Sequence, residues 1–417
     1  MDRREFLKSA AVLAALAPLG HFAGAAEAEK SAGSGKVTRR RWKNSAVTVP
    51  LLGFGMMRLP KRSADKPEID YDEVRRQIKI AMDAGVNYFD TAYFYHGGLS
   101  EKCAGDLLSA YPRDSYFLAD KMPVSLLRKE ADLERIWQEQ LKRCRTDRFD
   151  FYLLHNLNRR EWEKACKLKV YEFLKRKKEE GKIRFLGFSF HDGPEVLKTI
   201  AGAYPWDFAQ IQLNYLDWTL YRSKEQYEIL TALGIPVIVM EPLRGGALAS
   251  LNPAATEILK KADPDASPAS WAFRYAGSLP NVLCVLSGMT KTEHLRDNIR
   301  TFTDFKPLTD GERRTVAKAL VAYRKSLSVP CTDCRYCMPC PAGVAIPRIF
   351  GAYNQYKLSG NRFQFMNVYG KLGEDERADS CVECGACLKK CPQHINIPKE
   401  LAKIDAETGK LLKGARR

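Results

Sequence analysis

Eight short apolar runs, each followed by a stretch of helical periodicity, constrain this chain more than any other feature. They are LLGFGMMRL (51–59), VNYFDTA (86–92), YFLADKM (116–122), DFYLLHN (150–156), IRFLGFSF (183–190), FAQIQLN (208–214), IPVIVMEP (235–242) and VLCVLSGM (282–289). Their starts lie about 25–47 residues apart, room for one helix each. The clearest intervening helices are YDEVRRQIKIAMDAG and KVYEFLKRKKEEGK, both amphipathic and both running into a glycine. Near-continuous apolar strands belong in a parallel sheet covered on both faces. Eight strand–helix pairs predict a (β/α)8 TIM barrel, an α/β fold. The competing architecture is an open doubly wound sheet. It would carry a GxGxxG turn after its first strand, and none follows residue 59.

A barrel of this kind gathers its chemistry at the C-terminal ends of its strands. The polar residues at those ends are Asp90, Lys121, His155, Ser189 with His191, Gln210 with Asn214, and Glu241. Taken singly, a strand-end histidine is most often a satisfied core residue, and a lysine a snorkelling surface group. Taken together, with Tyr95 five residues after Asp90, they form a coherent acid–base set. A phenol ordinarily ionises near pH 10. A neighbouring lysine cation would favour the phenolate and so tune Tyr95 as a proton donor, while Asp90 would hold and balance the lysine. His155 would orient a carbonyl oxygen between itself and Tyr95.

The stretch from LLGFGMMRLP to EHLRDNI resembles the aldo-keto reductase family. FDTAYFY matches that family's Asp-Thr-Ala-x-x-Tyr signature, and ADK, YLLH and GFS follow in order on the third, fourth and fifth strands. The resemblance implies an NAD(P)H-linked oxidoreductase acting on a carbonyl or alcohol, with Asp90, Tyr95, Lys121 and His155 as catalytic tetrad. It implies that Ser189 and Gln210 hold the nicotinamide carboxamide and that Met240 stands where a residue stacks on the nicotinamide. It places the cofactor phosphates near Pro242, Leu243, Arg244 and Gly245 and near Ser287, Gly288, Lys291, His294 and Asn298. The sequence departs from the family pattern at Phe190 and His191, where an asparagine commonly follows the serine. It departs again at Gly288 and His294, where many members grip a 2′-phosphate with lysine and arginine. NADP(H) and NAD(H) both stay open.

Eight of the 12 cysteines follow residue 330. CTDCRYCMPCP supplies Cys331, Cys334, Cys337 and Cys340; CVECGACLKKCP supplies Cys381, Cys384, Cys387 and Cys391. The second run is the C-x2-C-x2-C-x3-C-P spacing of a bacterial ferredoxin, and the first is one residue shorter before its last cysteine. An internal repeat, CPAGVAIPRIF (340–350) and CPQHINIPKEL (391–401), accompanies them. Zinc or disulfides are the alternatives, but neither suits two four-cysteine runs this tight that end in proline. The expectation is two 4Fe–4S clusters in a small ferredoxin-like α+β domain. Cys331, Cys334, Cys337 and Cys391 would hold one, and Cys381, Cys384, Cys387 and Cys340 the other. The scattered Cys103, Cys144, Cys166 and Cys284 read as buried or unreactive thiols.

The N-terminus, DRREFLK followed by a short weakly apolar run ending in Ala23-Gly24-Ala25, resembles a twin-arginine signal. That implies export to the periplasm, already folded and cofactor-loaded, by the twin-arginine (Tat) machinery. The expected organisation is signal 1–28, polar linker 29–45, barrel 46–308 and a ferredoxin-type iron–sulfur domain with helical flanks, 309–417. The net charge of +17 fits a solvated basic face, or docking to an acidic electron-carrier protein or an anionic membrane surface. Nucleic acid is excluded as a partner, because no arginine-rich or aromatic-interleaved recognition segment is present. Three functions remain. One is a reductase of a small carbonyl or sugar-like substrate coupled to electron transfer. Another is an electron-transfer or redox-sensing module that uses the barrel as a docking scaffold. The third is a sugar-modifying barrel that uses a tightly held nucleotide for transient oxidation, with Tyr93, Tyr95, His96, Trp162 and Trp218 able to line a carbohydrate-friendly mouth.

Overall fold

The computed structural model describes residues 28–29, 35–42, 45–63, 68–324, 328–359 and 362–414. The expected signal, residues 1–28, lies outside them except for its last position. Among the described residues no helix is long and apolar enough to cross a membrane.

The chain divides into two compact units. In the larger, eight parallel strands close on themselves: β1 (Leu52–Gly55), β2 (Tyr88–Asp90), β3 (Phe117–Met122), β4 (Phe149–Leu157), β5 (Ile183–Phe190), β6 (Phe208–Gln212), β7 (Val237–Met240) and β8 (Val282–Ser287). The seam between last and first strand pairs Val285 with Leu52 and Ser287 with Phe54. All eight expected runs contribute a strand. The first is shorter than its apolar run, because the chain turns into a 3-10 helix at Met56–Arg58. The two expected helices form as Tyr71–Asp83, capped by the Asp70 carboxylate on Glu73 N at 3.1 Å, and Val170–Glu179.

The N-terminal mouth of the barrel is plugged by a hairpin, Arg39–Arg41 paired with Thr48–Pro50. The expected linker 29–45 therefore already contains ordered structure. Trp42, 4% exposed, stacks on Phe185 at 4.2 Å and meets Phe151 and Phe208 edge-on. All three rings stand near the starts of their strands. The Arg40 guanidinium is buried and donates to the carbonyls of Gly277, Leu279 and Val282. These bonds satisfy a charge that would otherwise be costly to bury, and desolvation pulls its pKa down to about 10.

The smaller unit joins residues 243–268 to residues 314–417. The expected boundary at 308 thus misses a segment: the chain after β7 belongs with the cysteine-rich tail. Among its described residues this unit has helices and loops and no strand, where a ferredoxin-like α+β arrangement was expected. The space between the two cysteine runs is taken by helices Ile346–Ser359 and Arg362–Gly370, which pack with Ile397–Gly414 around Phe350, Tyr353, Phe365 and Leu401. The sequence repeat is also a structural one. Each Cys-Pro is followed by a left-handed residue, Gly343 or His394, then a buried aliphatic, Val344 or Ile395. Each copy then starts a helix at Ile346 or Ile397 with proline in its first turn, where no amide hydrogen is needed.

Candidate active site and metal centre

β2 ends at Asp90, and the chain turns at once through a 3-10 segment beginning at Tyr95. β3 brings Lys121 alongside, buried to 1%. Its ammonium donates to Asp90 Oδ1 at 2.6 Å and to the Thr91 carbonyl at 2.6 Å, and stands 3.4 Å from the Tyr95 hydroxyl. β4 delivers His155, whose ring stacks on Phe94 at 4.9 Å and meets the Tyr95 ring edge-on at 6.0 Å. The four residues expected to act together are therefore together.

The electrostatics differ from the sequence expectation in one respect. The Tyr95 phenol is not eased toward ionisation. Burial of its hydroxyl, then the negative charges of Asp90, Glu241 and Asp120, push its pKa well above the ordinary phenol range, with Arg58 opposing. The lysine cation is engaged by Asp90 and Thr91. Tyr95 is thus held as a protonated donor, the form a general acid needs. His155 is driven the other way: burial, then Lys121 and His191, hold its pKa well below the usual imidazole value. It is a neutral ring, able to donate one N–H without carrying charge.

Gln210, implied as a carboxamide ligand, donates from Nε2 to Asp90 Oδ2 at 3.1 Å. Both Asp90 oxygens are thereby fixed, one by the lysine and one by the amide. Ser189 lies beside Gln210 in the β5–β6 register. Its Oγ accepts the Asn156 amide at 2.7 Å, pinning a left-handed residue next to His155. Its own hydroxyl hydrogen is left to donate elsewhere. Asn214 bonds Asp217 Oδ2 at 2.6 Å and the Glu241 carbonyl at 2.9 Å, securing the turn where β7 ends. Met240 is half-buried and Pro242 buried. The Ser287 hydroxyl accepts from Asn298 Nδ2 at 3.0 Å. Lys291 stands at the N-cap position of helix Thr292–Phe302 without a side-chain cap bond, and Lys291 and His294 are exposed at its first turn, a position that suits a phosphate. Gly288 lies under Arg58, whose Cβ would stand 3.0 Å from any added side chain there.

Sequence reasoning missed Arg58, which closes the turn after β1 and pairs with Glu241 at 3.9 Å. A basic residue just past the first strand was the available signal. The carbohydrate-friendly mouth is only partly assembled. Trp218 is 3% exposed and packs against Tyr227 and Tyr275. The Tyr93 hydroxyl is bonded to Glu139 at 2.8 Å, and Trp162 leans on Tyr204. Cys103, Cys144 and Cys284 are buried as expected. Cys166 is exposed instead, its thiol pushed up by partial burial and Glu172.

Leu243, Arg244 and Gly245, implied as phosphate-binding, fall in the smaller unit. There the Arg244 guanidinium, 3% exposed, reaches Gln393 Oε1 at 3.3 Å. Gly245 is left-handed, and a Cβ on it would come within 2.3 Å of the Thr332 carbonyl oxygen, so only glycine fits. The positive charge of Arg244 acts on the Cys331 and Cys391 thiols, opposing the rise that burial causes.

The cysteines of this unit sort by proximity. Cys331 and Cys337 lie near one another and near Cys391, with Cys387 a weaker neighbour of Cys337, while the thiol neighbours of Cys387 are Cys381, Cys340 and Cys384. The last cysteine of each run, Cys391 or Cys340, therefore faces thiols of the other run. The Asp333 amide points at the Cys331 sulfur at 3.4 Å, and the amides of Gln393, His394 and Ile395 face that of Cys391. Amides directed at sulfur are among the groups that tune an iron–sulfur cluster. No three His, Cys, Asp or Glu side chains among the described residues converge as closely as a single metal ion demands. A cubane, in contrast, holds its thiolates at four separate irons, farther apart. The donor set fits iron–sulfur clusters, which would supply one-electron redox chemistry there.

Residues 51–320 match the Aldo/keto reductase family, and residues 330–395 match the 4Fe-4S dicluster domain. The chain is 26% identical over 316 residues to an L-galactose dehydrogenase of Arabidopsis thaliana, covering 71% of this chain and 98% of the relative. It is 27% identical over 225 residues to a 6-dehydroglucose reductase of Novosphingobium aromaticivorans, covering 51% and 70%. Among solved structures, the holo form of an aldo-keto reductase from Bacillus halodurans superposes with a TM-score of 0.57. It is 24% identical and covers 68% of this chain and 96% of its own, a likeness of fold. A closed eight-stranded barrel, a Tyr–Lys–Asp–His cluster at its strand ends and a match over most of the chain agree: this oxidoreductase belongs to the aldo/keto reductase family, and a 4Fe–4S dicluster domain follows its barrel in sequence.

Proposed function

We propose that the barrel interconverts a carbonyl and an alcohol on a small polyhydroxylated, sugar-like substrate with NAD(P)H, and that the tail carries electrons through two 4Fe–4S clusters. One observation carries the first part: Lys121 is bound to Asp90 and lies 3.4 Å from the hydroxyl of a protonated Tyr95, with neutral His155 facing the same ring. A carbonyl oxygen set between the phenol and the imidazole N–H receives two hydrogen bonds. As negative charge develops on that oxygen, Tyr95 gives up its proton and the adjacent Lys121 stabilises the phenolate. Bound nicotinamide would supply hydride to the carbonyl carbon. Asp90 keeps the lysine in place, and Gln210 keeps Asp90 in place. The sugar-like substrate class rests on the two relatives, an L-galactose dehydrogenase and a 6-dehydroglucose reductase.

The two clusters rest on the crossed grouping of cysteines, Cys331, Cys334, Cys337 and Cys391 against Cys381, Cys384, Cys387 and Cys340. Together they hold two electrons, one each, the equivalent of one hydride. The N-terminal arginines Arg3 and Arg4 support export to the periplasm by the twin-arginine route, which carries folded proteins. A second reading, an electron-transfer module on a barrel scaffold, draws on Arg244 and Gly245 being engaged by the cysteine-rich unit.

The test uses anaerobically purified, iron-replete protein. Tyr95→Phe should lower carbonyl reduction by about 10²–10⁴-fold, the range expected for a lost general acid, while nicotinamide binding by fluorescence titration is retained. Iron analysis should give about eight irons per chain. Activity surviving in Tyr95→Phe overturns the tetrad. Absence of any nicotinamide binding in the parent protein shifts the reading to the scaffold.

A further inference from the structure

The two cysteine runs share one backbone. Two residues after the first cysteine of each, Asp333 and Glu383 are left-handed, with φ of 52° and 50°. Four residues after it, Arg335 and Gly385 are left-handed again, with φ of 64° and 70°. Positions in the two runs can therefore be compared directly, and one pair differs sharply. Thr332, the residue after the first cysteine of run one, is 2% exposed, with the Gly245 backbone against it. Val382, the same position in run two, is 70% exposed. Leu388, directly after the third cysteine of its run, is 40% exposed, whereas its counterpart Met338 is half-buried. Cys384 is exposed, whereas its counterpart Cys334 is half-buried.

The covered face belongs to the cysteines beside Arg244. The bare face puts two aliphatic side chains around an exposed thiol that the iron–sulfur reading makes a cluster ligand. Lys389 and Lys390 are exposed next to it in sequence, as are the carboxylates of Asp379 and Glu383. A small apolar centre over a redox group, bordered by a pair of lysines, is the anatomy of a transient electron-transfer contact, which is small and electrostatically steered. On a chain of net charge +17, the complementary partner is acidic. Resting on the iron–sulfur reading above, we propose that the surface formed by Val382, Cys384, Leu388, Lys389 and Lys390 docks an acidic one-electron carrier protein. The cluster held by Cys381, Cys384, Cys387 and Cys340 is then the one that exchanges electrons with it.

The probe is one acceptor in two charge forms: native cytochrome c, which is basic, and the same protein with its lysines succinylated, which is acidic. Dithionite-reduced full-length protein is mixed with each in a stopped-flow instrument. The acidic form should be reduced at least about tenfold faster, and its rate should fall as salt is raised. Val382→Glu/Leu388→Glu should lower that rate at least tenfold, with the cluster EPR signals and the reduction of a small neutral quinone unchanged. Lys389→Glu/Lys390→Glu, which leaves the apolar centre intact, should flatten the salt dependence. Equal rates for the two charge forms overturn the proposal. So do unaltered rates in both variants. A chain that sediments as a dimer, dissociated by Val382→Glu/Leu388→Glu without effect on the rate, assigns the surface to self-association and overturns it as well. Parent protein without iron or EPR signal defeats the iron–sulfur reading itself, a failure distinct from the others.

Discussion

His155 shows how one buried side chain sets both chemistry and pH response. Its pKa lies well below the ordinary 6.5 because of burial first, then Lys121 and His191. Above pH 6.5 both folded and unfolded chains hold it neutral, and it adds no pH dependence. Below that value the unfolded chain takes up a proton that the folded one refuses, so stability falls as pH drops. The slope is about 1.4 kcal/mol per pH unit until the folded pKa is reached. Urea midpoints at pH 5 and pH 7 should show this loss, and His155→Asn should reduce it; equal slopes would remove the histidine as its cause. At this scale much of the site was legible. Asp90, Tyr95, Lys121 and His155 stood at strand ends in a recognisable order. What the sequence could not display was who bonds whom. Gln210 bracing Asp90, and burial together with acidic neighbours setting Tyr95, depend on strands that are far apart in sequence and adjacent only after closure.

At the scale of elements, parallel strands announced themselves because burial on both faces leaves continuous apolar runs. The hairpin across the N-terminal mouth did not. Its sequence, VTRRRWKNSAVTVP, is basic and polar, and its stability comes from partners elsewhere in the chain. Arg39 bonds Asn87 at 3.1 Å, Arg40 bonds carbonyls near β8, and Trp42 inserts among rings from β4, β5 and β6. Trp42→Ala removes a large side chain at 4% exposure and should cost about 3–5 kcal/mol, read as a lower midpoint in chemical denaturation. A change under about 1 kcal/mol would mean the hairpin is an ornament on an otherwise complete barrel. The two helices between the cysteine runs were likewise hidden, because the motif drew attention to the ligands and away from the 40 residues that separate them.

At the scale of the whole molecule, the divisions of the sequence and of the structure do not coincide. Residues 243–268 are read as barrel by position, yet they belong with the cysteine-rich tail by contact. The Asn252 amide donates to the Ala322 carbonyl at 3.0 Å, and the Arg244 and Gly245 contacts add to the tie. A chain ended after residue 313 keeps every barrel strand but leaves this segment without its partners. It should express with more protease cleavage between residues 243 and 268 than the full chain shows, as mass spectrometry of the fragments would reveal. Cleavage no greater than in the full chain would show that the segment stands by itself.

Gly245 carries the same point into heredity. A side chain there would strike the backbone of Thr332, some 87 residues later and next to Cys331, the first cysteine of its run. A mutation in the middle of the reductase portion of the gene would thus present as a defect of iron loading. The tail, for its part, could not be exchanged for that of another protein without redrawing a loop written long before it. The two portions have to be inherited together.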